Sequence, residues 1–208
     1  MAKRSRAPAV PQAERAQEIL SAALRVFIEK GFAAARIEDV AREAGLAKGT
    51  LYLYFDSKVA LFKGLIQTAA AVPIGKVQAL LNATEAPTDE VLRAVIGVIK
   101  REIFATDRKL IVRLVLTEVH RFPELADFYY VNVVSRAMQI LRAILERGLE
   151  RGEIADDSLV RFPQLIIAPF LVGIMWQALF DRQAPLDVEG LMQAHLDILI
   201  RGSGRPSS

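Results

Sequence analysis

The stretch AREAGLAKGTLYLYF, residues 41–55, places two short helical patterns on either side of Gly45. Before the break, apolar residues recur at steps of three and four, as expected for one face of a helix: Ile37, Val40, Ala41 and Ala44. After the break, the same spacing is repeated by Leu51, Tyr54 and Phe55. Each pattern covers only two turns, well below the roughly 12–15 residues that an isolated helix needs. These two helices must therefore be stabilised by packing against each other or against a third element.

The composition predicts a folded protein that does not use cysteine chemistry. The chain has 208 residues, of which 52% are hydrophobic and 25% are charged, so it can bury a substantial core. It contains no cysteine, which excludes disulfides, thiolate zinc sites, iron–sulfur clusters and cysteine nucleophiles. The basic N-terminus is not followed by an apolar segment, so we expect no secretory signal and a cytoplasmic location.

Positive charge is concentrated in the first third of the chain. Residues 1–63 contain 11 Lys and Arg against 7 Asp and Glu, whereas residues 64–208 contain 16 against 17. A basic end on a near-neutral remainder favours a polyanionic partner at that end. Charge alone leaves chance variation among solvated side chains as an equal explanation.

Helical spacing of apolar residues continues along the whole chain, so we predict an all-α fold of about nine helices. Ser57, Thr88, Ser158 and Asp187 are expected to open helices, and Gly31 and Gly152 to follow the ends of two others. We expect the fourth helix to end at Pro73 and residues 1–10 and 202–208 to be disordered. The predicted helices span about residues 13–30, 37–44, 48–55, 57–73, from 88, 107–120, 124–151, 158–180 and 187–200.

Two short helices joined by a glycine-containing turn are typical of a helix-turn-helix. With Leu51 at the centre of the buried face, Gly49 and Leu53 point outward, flanked by Thr50 and Tyr52. This outward set carries no charge and little bulk, which suits insertion into the major groove of double-stranded DNA. Lys48, at the start of the second helix, is expected to lie beside phosphates.

The pattern IEDVAREAGLAKGTLYLYFDSKVALF, residues 37–62, resembles the TetR family of bacterial transcriptional repressors, as does FIEKGFAAA at 27–35. The resemblance implies a three-helix DNA-binding domain over residues 11–57 and a helical effector-binding and dimerisation domain over 58–201. Ala47 departs from the family pattern, where a serine usually caps the recognition helix, at a cost of about 1 kcal/mol. The resemblance implies DNA contacts from Arg36, Ala47, Lys48, Gly49, Thr50, Tyr52, Leu53, Tyr54 and Lys58.

The larger domain is expected to bind a small, mostly apolar effector and to form a homodimer. The segment LVLTEVHRFPELADFYY, residues 114–130, resembles a subgroup of the same family in which regulators of efflux genes occur. An aromatic residue at helical spacing is more often part of a core, but a few must line any pocket. The candidate pocket residues are Phe104, Phe128, Tyr129, Phe162, Phe170, Met175 and Trp176.

The apolar run LIIAPFLVGIMWQALF, residues 165–180, is shorter than the roughly 20 residues of a membrane span and contains Pro169 and Gln177. A helix that is apolar on all sides is normally buried, and here a second subunit would cover it. We therefore predict no membrane insertion, and a four-helix dimer interface formed with the last helix. The candidate interface residues are Leu171, Ile174, Leu191, His195 and Leu199.

Other classes of function have less support in the sequence. There is no glycine-rich phosphate loop, nucleophile elbow or H-E-x-x-H pair, so an enzyme is not expected. Two histidines and no cysteines argue against a metal sensor, and we predict no metal and no cofactor. A DNA-binding protein with a filled core and no effector remains the alternative to a ligand-responsive regulator.

Overall fold

The computed structural model describes residues 12–155 and 157–202, and every regular element among them is helical. The all-α prediction is confirmed. The chain divides into two compact units, residues 1–65 and 66–208. The helices are α1 Gln12–Lys30, α2 Ile37–Glu43, α3 Lys48–Tyr52, α4 Lys58–Ala83, α5 Thr88–Ile99, α6 Arg108–Glu118, α7 Pro123–Tyr129, α8 Ser135–Glu150, α9 Ser158–Arg161, α10 Gln164–Phe180 and α11 Val188–Gly202.

Three aromatic rings form the centre of the first unit. Phe27 of α1 and Phe32 meet edge to face with centroids 5.2 Å apart, and Phe62 of α4 lies 4.7 Å from Phe32. All three are buried, as are Val40 of α2 and Leu51 of α3. The short α2 and α3 are therefore held by a shared core with α1 and α4, which supplies the packing that their length requires.

The core of the second unit is built mainly by α5, α8, α10 and α11. Amphipathic α5 and α8 contribute the most deeply buried side chains, among them Leu92, Ile144 and Leu145. Phe170 and Ile174 of α10 and Met192 and Leu196 of α11 complete it. The side of α4 that carries Ile74, Val77 and Leu81 packs against the same cluster.

The four predicted helix starts are confirmed: α5 and α9 begin at Thr88 and Ser158, and Ser57 and Asp187 cap α4 and α11. Only the predicted N-cap role of Thr88 is wrong. The Ser57 hydroxyl accepts a hydrogen bond from the Ala60 N–H at 3.1 Å, and the Asp187 carboxylate accepts one from Gly190 at 3.0 Å. At α5, however, the N-cap residue is Pro87 rather than Thr88. The Thr88 N–H donates instead to the Glu153 carboxylate at 2.7 Å, so a distant side chain takes over the capping role.

Helix α4 continues ten residues past Pro73, contrary to the prediction that it ends there. Proline removes one backbone hydrogen bond and crowds the preceding turn. The helix persists because its following turns bury apolar surface: Ile74, Val77, Leu80 and Leu81 pack against the core of the second unit.

The described chain has eleven α-helices instead of about nine because two predicted helices are interrupted. The segment predicted over 124–151 contains a π-helical turn, Tyr130–Val134, between α7 and α8. The segment predicted over 158–180 breaks at Phe162, whose ψ of 63° lies outside the helical region. Pro163 follows directly, and a residue before proline is disfavoured in the helical conformation.

Helix α4 is long and apolar enough to cross a membrane by length and composition, whereas α10 is shorter. Leu61, Phe62, Leu65 and Ile66 of α4 are buried within the protein, and 22% of its apolar stretch is buried in all. The tails predicted to be disordered are residues 1–10 and 202–208; residues 1–10 and 203–208 lie outside the described residues, whereas Gly202 is the last residue of α11.

Candidate nucleic-acid interface and ligand cavity

The turn between α2 and α3 depends on the left-handed conformation of Gly45, which has a φ of 66°. The turn is closed by a hydrogen bond from the Leu46 N–H to the Ala41 carbonyl at 2.9 Å. A Cβ atom at Gly45 would meet nothing within 4 Å. Glycine is therefore required here for its backbone conformation and not for lack of space.

Helix α3 presents to solvent the residues that the sequence predicts to face outward. Leu51 is fully buried, whereas Leu53 is 79% exposed and Tyr52 and Gly49 are also exposed. Thr50 and Tyr54 are half-buried at the edges of this surface. The exposed part of α3 therefore combines one long aliphatic side chain, an aromatic ring and a stretch of accessible backbone.

The N-terminus of α2 is stabilised by Asp39, a residue that the sequence analysis did not single out. Its carboxylate accepts a hydrogen bond from the Arg36 N–H at 3.2 Å and pairs with Lys30 at 2.9 Å. The hydrogen bond with Lys30, followed by that from Arg36, holds the pKa of Asp39 below its ordinary value. Exposed Arg36 is thereby positioned at the start of α2 through its backbone.

Lys48 forms an ion pair with Glu38 of α2, with Nζ and Oε1 2.5 Å apart. Its ammonium also lies 5.8 Å from the centre of the Tyr52 ring. The hydrogen bond between the two side chains lowers the pKa of Glu38 and raises the pKa of Lys48. Both side chains are about half exposed, so the pair is open to competition from another anion. Ala47 precedes α3 without a side-chain cap, as its sequence predicts.

The Lys58 ammonium is bound by the protein itself. Its Nζ donates to the carbonyl oxygens of Phe32 at 2.7 Å and of Ala33 and Ala35 at 3.0 Å, and it lies 4.7 Å from the centre of the Phe32 ring. An ammonium group has three protons to donate. The structure therefore gives Lys58 a role in fixing the loop between α1 and α2, where the sequence analysis expected a phosphate contact.

The seven predicted pocket residues are absent from the linings of two cavities found among the described residues. Phe170 is buried in the core and contacts Phe104 edge to face at 5.7 Å, whereas Phe162 is 52% exposed. The Trp176 ring N–H donates to the Ala184 carbonyl at 2.7 Å. Burial raises the pKa of the half-buried Tyr129, and Phe128 and Met175 are also half-buried. Of the seven, Phe170 belongs to the core of the second unit and Phe104 packs against that core.

A cavity of the second unit lies elsewhere, between α4 and the segment formed by the π-helical turn and α8. It is a groove of about 700 Å³, within the size range of small-molecule sites. Sequence periodicity could not reveal it, because its two walls come from distant parts of the chain. The lining residues are Gln67, Ala70, Ala71, Ile74, Gly75, Gln78, Leu81, Asn132, Val133, Arg136, Gln139, Ile140 and Ala143.

The predicted dimer-interface residues differ in their exposure. Ile174 is only 3% exposed and belongs to the core of the second unit, and Leu199 packs against that core. His195 Nε2 lies 2.7 Å from the Leu165 carbonyl, and Leu191 is half-buried. Leu171 does reach the surface. The exposed apolar side chains of α10 are Leu165, Leu171, Val172, Leu179 and Phe180.

The fold of the first unit and the exposed face of α3 define the class of helix-turn-helix DNA-binding proteins. Residues 19–65 match the bacterial regulatory proteins of the tetR family, and residues 87–195 match the tetracyclin repressor-like C-terminal domain. The chain belongs to the TetR family of transcriptional regulators. The matching families and relatives are regulators, which confirms the prediction of a regulator rather than an enzyme.

Relatives with known names agree with this assignment. The chain is 27% identical over 198 residues to the HTH-type regulator YerO of Bacillus subtilis, covering 92% of this chain and 66% of YerO. It is 25% identical to the HTH-type repressor KstR2 of Mycolicibacterium smegmatis, covering 94% of this chain and 95% of KstR2. The regulator FadR of Bacillus subtilis, solved in complex with stearoyl-CoA, has the same fold: the TM-score is 0.77 at 24% identity, over 89% of this chain and 98% of FadR.

Proposed function

We propose that the protein is a ligand-responsive repressor that binds an inverted-repeat DNA operator as a homodimer in the cytoplasm. The observation that carries the DNA-binding proposal is the exposed face of α3. Gly49, Tyr52 and Leu53 project from a helix whose opposite side is anchored by buried Leu51. Gly49 allows close approach of the backbone, and Leu53 can meet the methyl group of a thymine.

Charged residues around α3 suit contacts with phosphates. Arg36 is exposed at the start of α2, and Lys48 is exposed at the start of α3. Phosphate contacts position a protein on the duplex, whereas contacts with base edges specify the sequence. We assign Lys48 and Arg36 to positioning, with Tyr52, Thr50 and Tyr54 beside them, and Leu53 to reading a base pair.

The proposed homodimer rests on the exposed apolar side chains of α10. Leu165, Leu171, Val172, Leu179 and Phe180 are accessible in the single chain. Several exposed apolar side chains on one helix are characteristic of an interaction site, and a two-fold dimer would cover them with the same residues of a second copy. A two-fold dimer requires a two-fold operator, with half-sites about 34–36 Å apart or somewhat more.

The groove in the second unit favours a ligand-responsive regulator over a constitutive one, because its volume of about 700 Å³ is not filled by side chains. An effector releases DNA only if it binds the DNA-incompetent arrangement more tightly than the competent one. Helix α4 contributes Lys58, Leu61 and Phe62 to the first unit and seven residues to the groove, so we propose it as the transmitter.

Footprinting on the DNA that flanks the protein's own gene tests this function. We expect protection of a site with two symmetric halves, and we expect Leu53→Ala to weaken it. Protection of an asymmetric site by a single subunit would contradict the proposal.

A further inference from the structure

The groove between α4 and α8 has two chemically distinct parts. Most of its wall is aliphatic, and Ile74, Leu81 and Ile140 connect it to the core of the second unit. The remainder consists of amide side chains and the guanidinium of Arg136. The residues with apolar or no side chains are Ala70, Ala71, Ile74, Gly75, Leu81, Val133, Ile140 and Ala143; the amides are Gln67, Gln78, Asn132 and Gln139.

Arg136 is the single charged residue among those that line the groove. It is exposed, and no carboxylate of the described chain lies within ion-pair distance of it. Arg142, further along α8, is also exposed but does not line the groove. A cation without a protein partner, at an aliphatic surface that has no carboxylate in its lining, favours a ligand that carries negative charge.

We propose that this groove binds an amphipathic anion, with its apolar tail along the aliphatic wall and its anionic group at Arg136. The inference rests on the proposed function, since it names the chemical class of the effector. Charge complementarity selects this occupant, and the amide side chains can bind polar atoms next to the anionic group. Fatty carboxylates and their larger phosphorylated thioesters both combine an apolar tail with an anionic head group. The two kinds of ligand differ in the size of that head group.

Gly75 offers a way to close the groove without disturbing the fold. It lies within α4 and lines the groove, and a Cβ atom there would meet nothing within 4 Å. A larger side chain at this position therefore extends into the open groove. The substitution also removes a glycine from a helix interior, which favours the helical state. Gly75→Leu fills the groove, and Gly75→Ala is the matched control.

The probe is dodecanoate, titrated into the full-length protein by calorimetry at a concentration below that at which it forms micelles. We expect binding that strengthens about fourfold for each buried methylene across decanoate, undecanoate and dodecanoate. Dodecyltrimethylammonium, which has the same tail and the opposite charge, should bind more weakly. Tighter binding of dodecanoyl-CoA than of dodecanoate would identify the thioester, with its larger head group, as the class of ligand that the groove binds.

Four variants locate the binding site. Gly75→Leu should weaken dodecanoate binding roughly tenfold or more by occupying the surface that the tail would bury, while Gly75→Ala, which adds a single methyl group, should change it by less than about fourfold. Arg136→Gln should weaken binding about two- to fivefold, as expected for an exposed ion pair, and Arg142→Gln should not. Absence of dodecanoate binding by the wild type, or equal affinities of Gly75→Leu and Gly75→Ala, would overturn the proposal.

Titration of operator DNA, with and without dodecanoate, separates this inference from the function on which it rests. Linkage requires that an effector and the operator weaken each other's binding by the same factor. Dodecanoate that binds at Gly75 and Arg136 and releases the operator supports both. Dodecanoate that binds there without changing operator affinity supports the site and contradicts its role as the effector site. Wild-type protein that binds no operator contradicts the proposed function itself, whatever its affinity for dodecanoate.

Discussion

At the scale of single residues, two glycines of this chain serve opposite purposes. Gly45 adopts a φ of 66° in the turn between α2 and α3, whereas Gly75 lies within the helix α4. Neither has an atom within 4 Å of the position of a Cβ. Alanine would therefore fit the available space at both positions. The two substitutions differ only in the backbone conformation that the alanine must adopt.

Gly45→Ala should lower the free energy of unfolding by about 1–2 kcal/mol, because an L-residue is strained in the left-handed region. Gly75→Ala should raise it by roughly 0.5–1 kcal/mol, because alanine favours the helix. Urea denaturation of the two variants and the wild type measures both changes. Equal effects of the two substitutions would show that the turn does not depend on the conformation of Gly45.

Asp39 makes a pH-dependent contribution to the start of α2. Its hydrogen bonds with Lys30 and the Arg36 N–H lower its pKa in the folded state. A carboxyl with a depressed folded pKa stabilises the protein above its unfolded pKa, near 4, and loses that contribution as the pH falls through the folded value. Asp39→Asn should therefore lower the melting temperature at pH 7, and the difference from the wild type should shrink below about pH 4. A difference that is constant from pH 7 to pH 3 would exclude this electrostatic role.

At the scale of helices, the two lysines that begin α3 and α4 have different environments. Lys48 is paired with a half-exposed carboxylate, and Lys58 is held by three main-chain carbonyls. Sequence alone gives both the same assignment, because both are cations at helix starts near the expected DNA surface. The carbonyls that occupy Lys58 come from a loop more than twenty residues earlier in the chain, so only the folded structure distinguishes the two.

Lys58→Met should lower the free energy of unfolding by about 1–3 kcal/mol, because it removes charged hydrogen bonds while keeping the aliphatic stem. The slope of log K for DNA against log salt should stay as in the wild type. Lys48→Met should leave stability nearly unchanged and reduce that slope by about one phosphate contact per subunit. A reduced salt slope for Lys58→Met would show that Lys58 contacts a DNA phosphate.

The helix-turn-helix could be predicted from sequence because its determinants are local. The apolar spacing of residues 37–55, the glycine at the turn and the buried Leu51 lie within about twenty residues. Other features depend on packing between segments that are distant in the chain. These are the groove, the Glu153 cap on α5 and the continuation of α4 beyond Pro73. The aromatic residues expected in a pocket illustrate the same limit, since spacing cannot tell a core ring such as Phe170 from a ring that lines a cavity.

At the scale of the whole molecule, the exposed apolar side chains of α10 should form the contact between two copies. Val172 is 51% exposed, so Val172→Glu places a charge where only a partner subunit would bury it. We expect a folded monomer in sedimentation equilibrium at micromolar concentration, with the helical circular dichroism retained. Val72→Glu, the same substitution at an exposed valine of α4, should remain dimeric.

Ile174→Glu is a control in which the charge is placed in the core instead of on the surface of α10. Ile174 is buried in the core of its own subunit, so a charge there should unfold the second unit instead of only separating the subunits. A wild type that sediments as a monomer, or a Val172→Glu variant that sediments as a dimer, would show that this face of α10 does not join the subunits.

Selection of binding sites from a random-sequence duplex library, by wild type and by Leu53→Ala, tests the central claim that a dimer reads DNA with α3. The wild type should enrich an inverted repeat whose half-sites are about one helical turn apart or somewhat more. Leu53→Ala should enrich the same repeat with altered base preference at one equivalent position in each half-site, since Leu53 is the most exposed side chain of this surface. Enrichment of no symmetric site by the wild type, or identical base preferences for the two proteins, would contradict the account.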